Sequence, residues 1–297
     1  MSFSRGLENA LGLGRTALCY LVEARPASRS FMSDDVRIHY TDVGTGPPVV
    51  LVHGFAVSGE LNWRLPGVTR ALARDYRVIS VDLRGHGRSG KPHGPADYGE
   101  NLTLDIVRLL DHLELERAHL VGYSLGGFVV LKLAVTAPEH LTSASILGAG
   151  WEPPDNSALM AALPRLADSL EAGHGVGPIA GNLGEERAMP GLGHRLWVKL
   201  MTRHFNDQRA LVGIIRSVPD LVVSEEALRG VAVPLCSIVG SRDPLIESAR
   251  AMAAVVGDHA ATVIPDADHI QAPARPELHA ALRQFLASVE AGSAARA

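Results

Sequence analysis

The chain has 297 residues, 46% hydrophobic and 20% charged, with a formal net charge of −4. This is the composition of a globular protein with a sizeable core, and its interspersed charges leave no basic block or aromatic–basic stripe for nucleic acid. No stretch reaches the roughly 18 apolar residues of a membrane span, and the two cysteines, Cys19 and Cys236, lie far apart in no disulfide or metal-site spacing.

Residues 1–32 read as an N-terminal extension. Leu7, Leu11 and Leu18 share one helical face, but Gly6, Gly12 and Gly14 each weaken a helix by about 1 kcal/mol relative to Ala. The apolar run Ala17–Val22 is short for a signal-peptide core. The segment is expected to be loosely held or peripheral, a cleaved or membrane-surface role stays open, and the default location is cytoplasmic. Asp34-Asp35 reads as a turn between Ser28–Met32 and Val36–Tyr40, so the fold opens with a hairpin.

Val49–Val52 is apolar without alternation, the pattern of a strand inside a parallel sheet covered on both faces. It ends at His53-Gly54-Phe55. A short helix follows Pro66, and the strand Arg77–Asp82 runs into the polar loop Leu83–Ser89. Leu102–Leu115 has helical spacing. Ala118–Tyr123 is a strand, Phe128–Val135 a buried helix, and Ser143–Gly148 a further strand. Over 151–229 the pattern turns helical, with a kink expected at Pro164, a glycine-rich stretch over 173–193 and a helix over 194–215. Strands resume at Pro234–Gly240 and Ala261–Ile264, and a last helix takes Pro276 as its first residue.

Strands alternating with helices predict an α/β fold, a mostly parallel central sheet with helices on both faces. Residues 33–150 and 230–297 form this core, and 151–229 form a helical cap insertion. In such sheets functional groups gather at the carboxyl ends of strands. The positions there are His53-Gly54-Phe55, Asp82, Ser124, Gly150-Trp151-Glu152, Asp243 and His269.

Gly122, Ser124 and Gly126 fit G-x-S-x-G between a strand pattern and a helix pattern. A chain that reverses from strand to helix within two residues needs positions without a Cβ, and the serine then stands exposed at the helix N-terminus. A serine hydroxyl needs a base to take its proton and an acid to orient that base. Of the thirteen histidines, His269 follows the last strand on a loop at the carboxyl edge; His53 and His86 sit in glycine turns that suit structural roles. Asp243 follows the preceding strand and suits the acid, although it also suits helix capping. Glu152 is the rival acid, while Asp266 and Asp268 flank the histidine too closely to orient it.

With the order Ser124, Asp243, His269, the His53-Gly54 pair and the run Asp82-Leu83-Arg84-Gly85-His86-Gly87-Arg88-Ser89, the sequence resembles the α/β-hydrolase family. It is most similar to the small capped esterases, lactonases, C–C bond hydrolases and cofactor-free haloperoxidase-like members. The resemblance covers roughly residues 33–151 and 231–286. It implies Ser124 as nucleophile, His269 as base, Asp243 as its orienter, and the backbone N–H groups of Phe55 and Leu125 as oxyanion hole. Asp268 stands where relatives usually have glycine, either raising the basicity of the histidine or facing solvent. Members with an aspartate nucleophile are disfavoured because residue 124 is serine.

The function expected is that of a serine hydrolase cleaving carboxylic esters, lactones or thioesters of small, largely apolar substrates through an acyl-enzyme. C–C bond hydrolysis, perhydrolase or haloperoxidase-like activity, and low-turnover ligand binding are the alternatives. Trp63, Trp151, Met160 and Trp197 are the expected pocket residues, unless they only pack the cap onto the core. Nothing demands a metal or an organic cofactor. The partner expected is a small ester-like substrate, not nucleic acid; membrane association is left open only by the N-terminal segment, and a homodimer is left open as well.

Overall fold

A computed structural model describes residues 26–294 apart from 95, 154–156, 174–206 and 258. Eight strands form one sheet: β1 Ala27–Ser33, β2 Val36–Val43, β3 Pro48–Val52, β4 Arg77–Val81, β5 Ala118–Tyr123, β6 Leu141–Leu147, β7 Leu235–Gly240 and β8 His259–Ile264. Their spatial order is β1-β2-β4-β3-β5-β6-β7-β8. The first two strands form the expected hairpin, with Asp34 in the turn at φ 49°, and β2 joins β4 antiparallel. All other pairings are parallel. β1 begins at Ala27, so residues 27–32 belong to the sheet and not to the N-terminal extension.

Successive strand residues point to opposite faces, and here both faces are covered. Val50, Val52, Ile79 and Val81 pack on one side with Ile106, Leu110, Val129 and Val130. Val49, Leu51, Val78 and Val121 pack on the other with Val68, Leu72, Leu278, Leu282 and Leu286. This double burial is why Val49–Val52 shows no polar alternation. The covering helices are α1 Val68–Leu72, α2 Asn101–His112 and α3 Leu125–Thr136. After β6 come α4 Ala158–Glu171, α5 Gln208–Ser217 and α6 Glu225–Arg229; α7 Ile246–Val255 lies between β7 and β8, and α8 Pro276–Ala294 closes the chain.

Helix α2 stops at His112, before Leu115, because Glu114 turns to φ 54°, a conformation no helix continues through. Helix α4 contains Pro164, the position of the expected kink. Its N-cap is Ser157, whose Oγ accepts the Met160 N–H at 3.0 Å. Asp207 caps α5 by accepting the N–H groups of Arg209 and Ala210. The part of the expected 194–215 helix before α5 lies largely outside the described residues. Leu163 and Ala167 of α4 and Leu211 and Ile214 of α5 belong to the same buried cluster as Leu125, Phe128 and Trp151, and α4 packs against α5.

Candidate active site

Ser124 joins β5 to α3 at φ 53° and ψ −116°, a strained conformation for a residue with a Cβ. The surrounding backbone holds it there. A Cβ on Gly122 would lie 2.0 Å from the Gly126 carbonyl oxygen, and one on Gly126 would lie 2.1 Å from that of Val52. Neither contact can be relieved by a side-chain movement, so Gly126→Ala is expected to destabilise the fold by about 3 kcal/mol, measured by urea denaturation. Ser124 is half-buried, and its hydroxyl makes no capping bond to its own helix.

The sheet order sets β5, β6, β7 and β8 side by side, so the loops after β7 and β8 are neighbours. Their backbones are tied together. Arg242 N–H donates to the Ala267 carbonyl at 3.0 Å, Asp266 N–H donates to Ser241 Oγ at 3.0 Å, and Arg242 reaches the Asp266 carbonyl. Gly240 permits this approach, since a Cβ there would sit 2.2 Å from the Ala267 oxygen. The result is a buried pair in which His269 Nδ1–H donates to Asp243 Oδ2 at 2.9 Å. The second Asp243 oxygen accepts the Leu245 N–H at 2.9 Å, so the residue also shapes the turn into α7, which begins at Ile246. Tyr123 links this pair to the nucleophile's strand. Its hydroxyl donates to the His269 carbonyl, and its ring lies 5.1 Å from the imidazole, one residue before Ser124.

Glu152 does not reach the histidine loop. Its carboxylate accepts the hydroxyls of Ser157 and Ser248, fastening the start of α4 to α7. Asp268 does not face solvent. It is buried, and its Oδ1 accepts the N–H groups of Ile270 and Gln271, capping the turn that follows.

The backbone N–H of Leu125 opens helix α3, where no intrahelical acceptor is in reach, and Phe55 follows Gly54 on the loop after β3. A Cβ on Gly54 would stand 3.2 Å from Ser124 Cβ, so this loop runs alongside the serine. Among the described residues neither the Phe55 nor the Leu125 amide is bonded. Three side chains that the sequence reading did not assign to this task hold the loop. Asn62 Oδ1 accepts the Gly54 N–H at 2.8 Å, His86 Nε2 accepts the Ala56 N–H at 3.0 Å, and His53 Nε2 accepts the Leu83 N–H at 3.0 Å. Burial pushes both imidazoles below the usual histidine range, which keeps the accepting nitrogens unprotonated. Asn62 lies in a single π-helical turn, Glu60–Arg64, and nothing in its local sequence marks it; its role arises from a contact eight residues back.

The expected pocket residues divide. Trp63 is fully buried in the layer between the sheet and helices α1 and α8, edge-on to Tyr123 at 6.1 Å, so it packs the core and is no pocket wall. Trp151 is nearly as buried and donates its Nε1–H to the Val223 carbonyl at 2.9 Å, which pins the segment before α6 to the chain that follows β6. Met160 is half-buried against the cluster that contains Leu125 and Phe128. Trp197 lies outside the described residues. Cys236 is buried in β7, and burial drives its thiol up to about 12, so it is an inert apolar filler. Among the described residues no helix is long and apolar enough to cross a membrane.

Residues 47–172 match the sequence profile of a family described as alpha/beta hydrolase fold. Over 103 residues the chain is 46% identical to the dihydrolipoyllysine-residue acetyltransferase component of the acetoin cleaving system of Pseudomonas putida, covering 34% of this chain and 26% of that protein. Over 124 residues it is 39% identical to the 2-hydroxy-6-oxo-2,4-heptadienoate hydrolase of Pseudomonas putida, covering 41% of this chain and 44% of the relative. The chain thus spans less than half the length of either curated relative. A solved thermophilic esterase from Thermogutta terrifontis superposes with a TM-score of 0.73 at 25% identity, covering 90% of this chain and 99% of the esterase.

Proposed function

We propose that this chain, which has the α/β-hydrolase fold, is a serine hydrolase that cleaves carboxylic esters of small, largely apolar substrates. The observation that carries the reading is the conjunction of a strained, partly accessible Ser124 with the buried His269–Asp243 pair, joined to it through Tyr123. Asp243 accepts the Nδ1 proton of His269 and so leaves Nε2 free to take a proton. The Ser124 hydroxyl turns toward Nε2, gives up its proton and attacks the substrate carbonyl. The amides of Phe55 and Leu125 receive the oxyanion; one such donor is typically worth on the order of 10²–10³ in rate. His269 then protonates the leaving alcohol, and water repeats the cycle on the acyl-enzyme. The half-buried Met160 and Phe55, with the apolar residues around Phe128, suit an apolar acyl group.

The test is a panel of p-nitrophenyl esters of graded chain length, lactones and vinylogous diketones. Steady turnover of the esters is expected, and it is expected to be lost in Ser124→Ala. Stoichiometric binding with negligible turnover across the panel would instead make the protein a ligand binder. A second reading, hydrolysis of a C–C bond beside a carbonyl, takes support from the likeness to the heptadienoate hydrolase. It gains if the diketones outpace the esters.

A further inference from the structure

The antiparallel edge of the sheet carries a second hydroxyl–imidazole–carboxylate line, separate from the first. Ser28 of β1 lies 2.8 Å through its Oγ from His39 Nε2, and His39 Nδ1 lies 3.0 Å from Asp82 Oδ2. The strand order β1-β2-β4 puts the three residues on adjacent strands or strand ends. His39 and Asp82 are buried, whereas Ser28 is exposed. Asp82 also accepts the N–H groups of Gly59 and Arg88, each at 2.9 Å. Burial opposes the charge on this carboxyl, but the His39 bond, the nearby His53 ring and these two amides together outweigh it and hold the group at about 2. Asp82 is therefore a standing carboxylate that accepts Nδ1–H, which leaves Nε2 as the acceptor for the Ser28 proton. The Arg88 guanidinium stands 3.3 Å from the same Oγ and favours negative charge there.

The molecule contains a comparable line that does not qualify. Ser143 Oγ lies 2.7 Å from His119 Nδ1, and His119 Nε2 lies 3.0 Å from Glu290. Ser143 is fully buried, so no acyl donor reaches it. Exposure of the hydroxyl is what distinguishes Ser28.

We propose that Ser28 is a second nucleophile, acylated by esters with good leaving groups, with His39 as its base and Asp82 as the carboxylate that orients the base. The Ser28 oxygen forms a bond to the acyl carbon while its proton passes to His39 Nε2. The ester C–O bond breaks, the phenolate leaves with that electron pair, and the proton passes from His39 to solvent. The Arg88 guanidinium touches the attacking oxygen and not the place of the oxyanion, so hydrolysis of the acyl group lacks the help that aligned amides give and the acyl group accumulates instead of turning over.

The experiment uses full-length protein carrying Ser124→Ala, so that its outcome does not depend on the first site. The variant is incubated with p-nitrophenyl acetate and acetylation is mapped by peptide mass spectrometry. Ser30, exposed on the same strand and opposite His39 in the β1–β2 register but, among the described residues, hydrogen-bonded to no imidazole, is the internal reference. Ser28 is expected to acetylate about a hundredfold faster than Ser30, the usual scale of general-base assistance. In Ser124→Ala/His39→Gln its rate is expected to fall to that of Ser30. An unlabelled Ser28, a Ser28 rate equal to that of Ser30, or an unchanged rate in a folded His39→Gln protein would overturn the proposal. The ratio is read within one molecule, so it decides the matter even if the His39 variant does not fold.

Discussion

Asp243→Asn is expected to lower kcat for ester hydrolysis by about 10⁴-fold while the protein stays folded. The carboxylate does two things that asparagine divides. Oδ1 supports the Leu245 N–H, and an amide oxygen can still do so. Oδ2 accepts the Nδ1 proton of His269, and an amide NH₂ in that place would instead donate to Nδ1. The imidazole then carries its proton on Nε2 and has no lone pair for the serine. Glu152→Gln is the matched control. Its carboxylate serves Ser157 and Ser248, away from His269, so kcat should stay within about tenfold of wild type. Steady-state kinetics on one p-nitrophenyl ester, with far-UV circular dichroism on each variant, would decide between the two acids. A Glu152 variant as inactive as the Asp243 variant would remove the assignment.

The second large effect is on stability. Asp105→Ala is expected to cost about 3–5 kcal/mol, because it leaves a buried guanidinium without its counter-charge. Asp105 is fully buried in α2 and binds Arg84 at both oxygens, 2.7 Å from Nε and 2.6 Å from Nη2. Ser33 of β1 donates to the same carboxylate at 2.5 Å. Once Asp105 is gone, Arg84 keeps the Asp97 carbonyl at 2.6 Å, which cannot neutralise it. The pair ties α2 to the end of β1 and to the loop after β4. Replacing both partners, Arg84→Met with Asp105→Leu, should cost much less than Asp105→Ala alone, since no uncompensated charge remains. Guanidinium denaturation of the three variants measures this, and a single variant no less stable than the double would refute it.

Several features were legible in the residues because they are local. The glycines at 122 and 126 announce a backbone that leaves no room for a Cβ, and the structure shows carbonyl oxygens in that space. The apolar run Val49–Val52 announces a strand covered on both sides. Pro276 marks the start of the last helix, where a missing N–H costs nothing. Other features were not legible because the sequence alone does not specify their partners. Trp63 and Trp151 both stand near strand ends, and only packing sends the first into the α1–α8 layer and the second to the Val223 carbonyl. Asp268 reads as a charge beside a histidine, but its oxygen turns to the two amides after it.

By itself the amino-acid order determined the alternation of strands and helices, the serine at the sharp turn, and the loops that bear His53, Asp243 and His269 at the carboxyl edge. These follow from side-chain periodicity and from steric limits within a few residues. The tertiary structure alone decided that Asp243 and not Glu152 faces His269. It also decided that Asn62 and His86 hold the loop of Phe55, and that Ser28, His39 and Asp82 form a line. Each of those outcomes depends on which strands become neighbours, a choice made by burying the whole sheet and by no single segment.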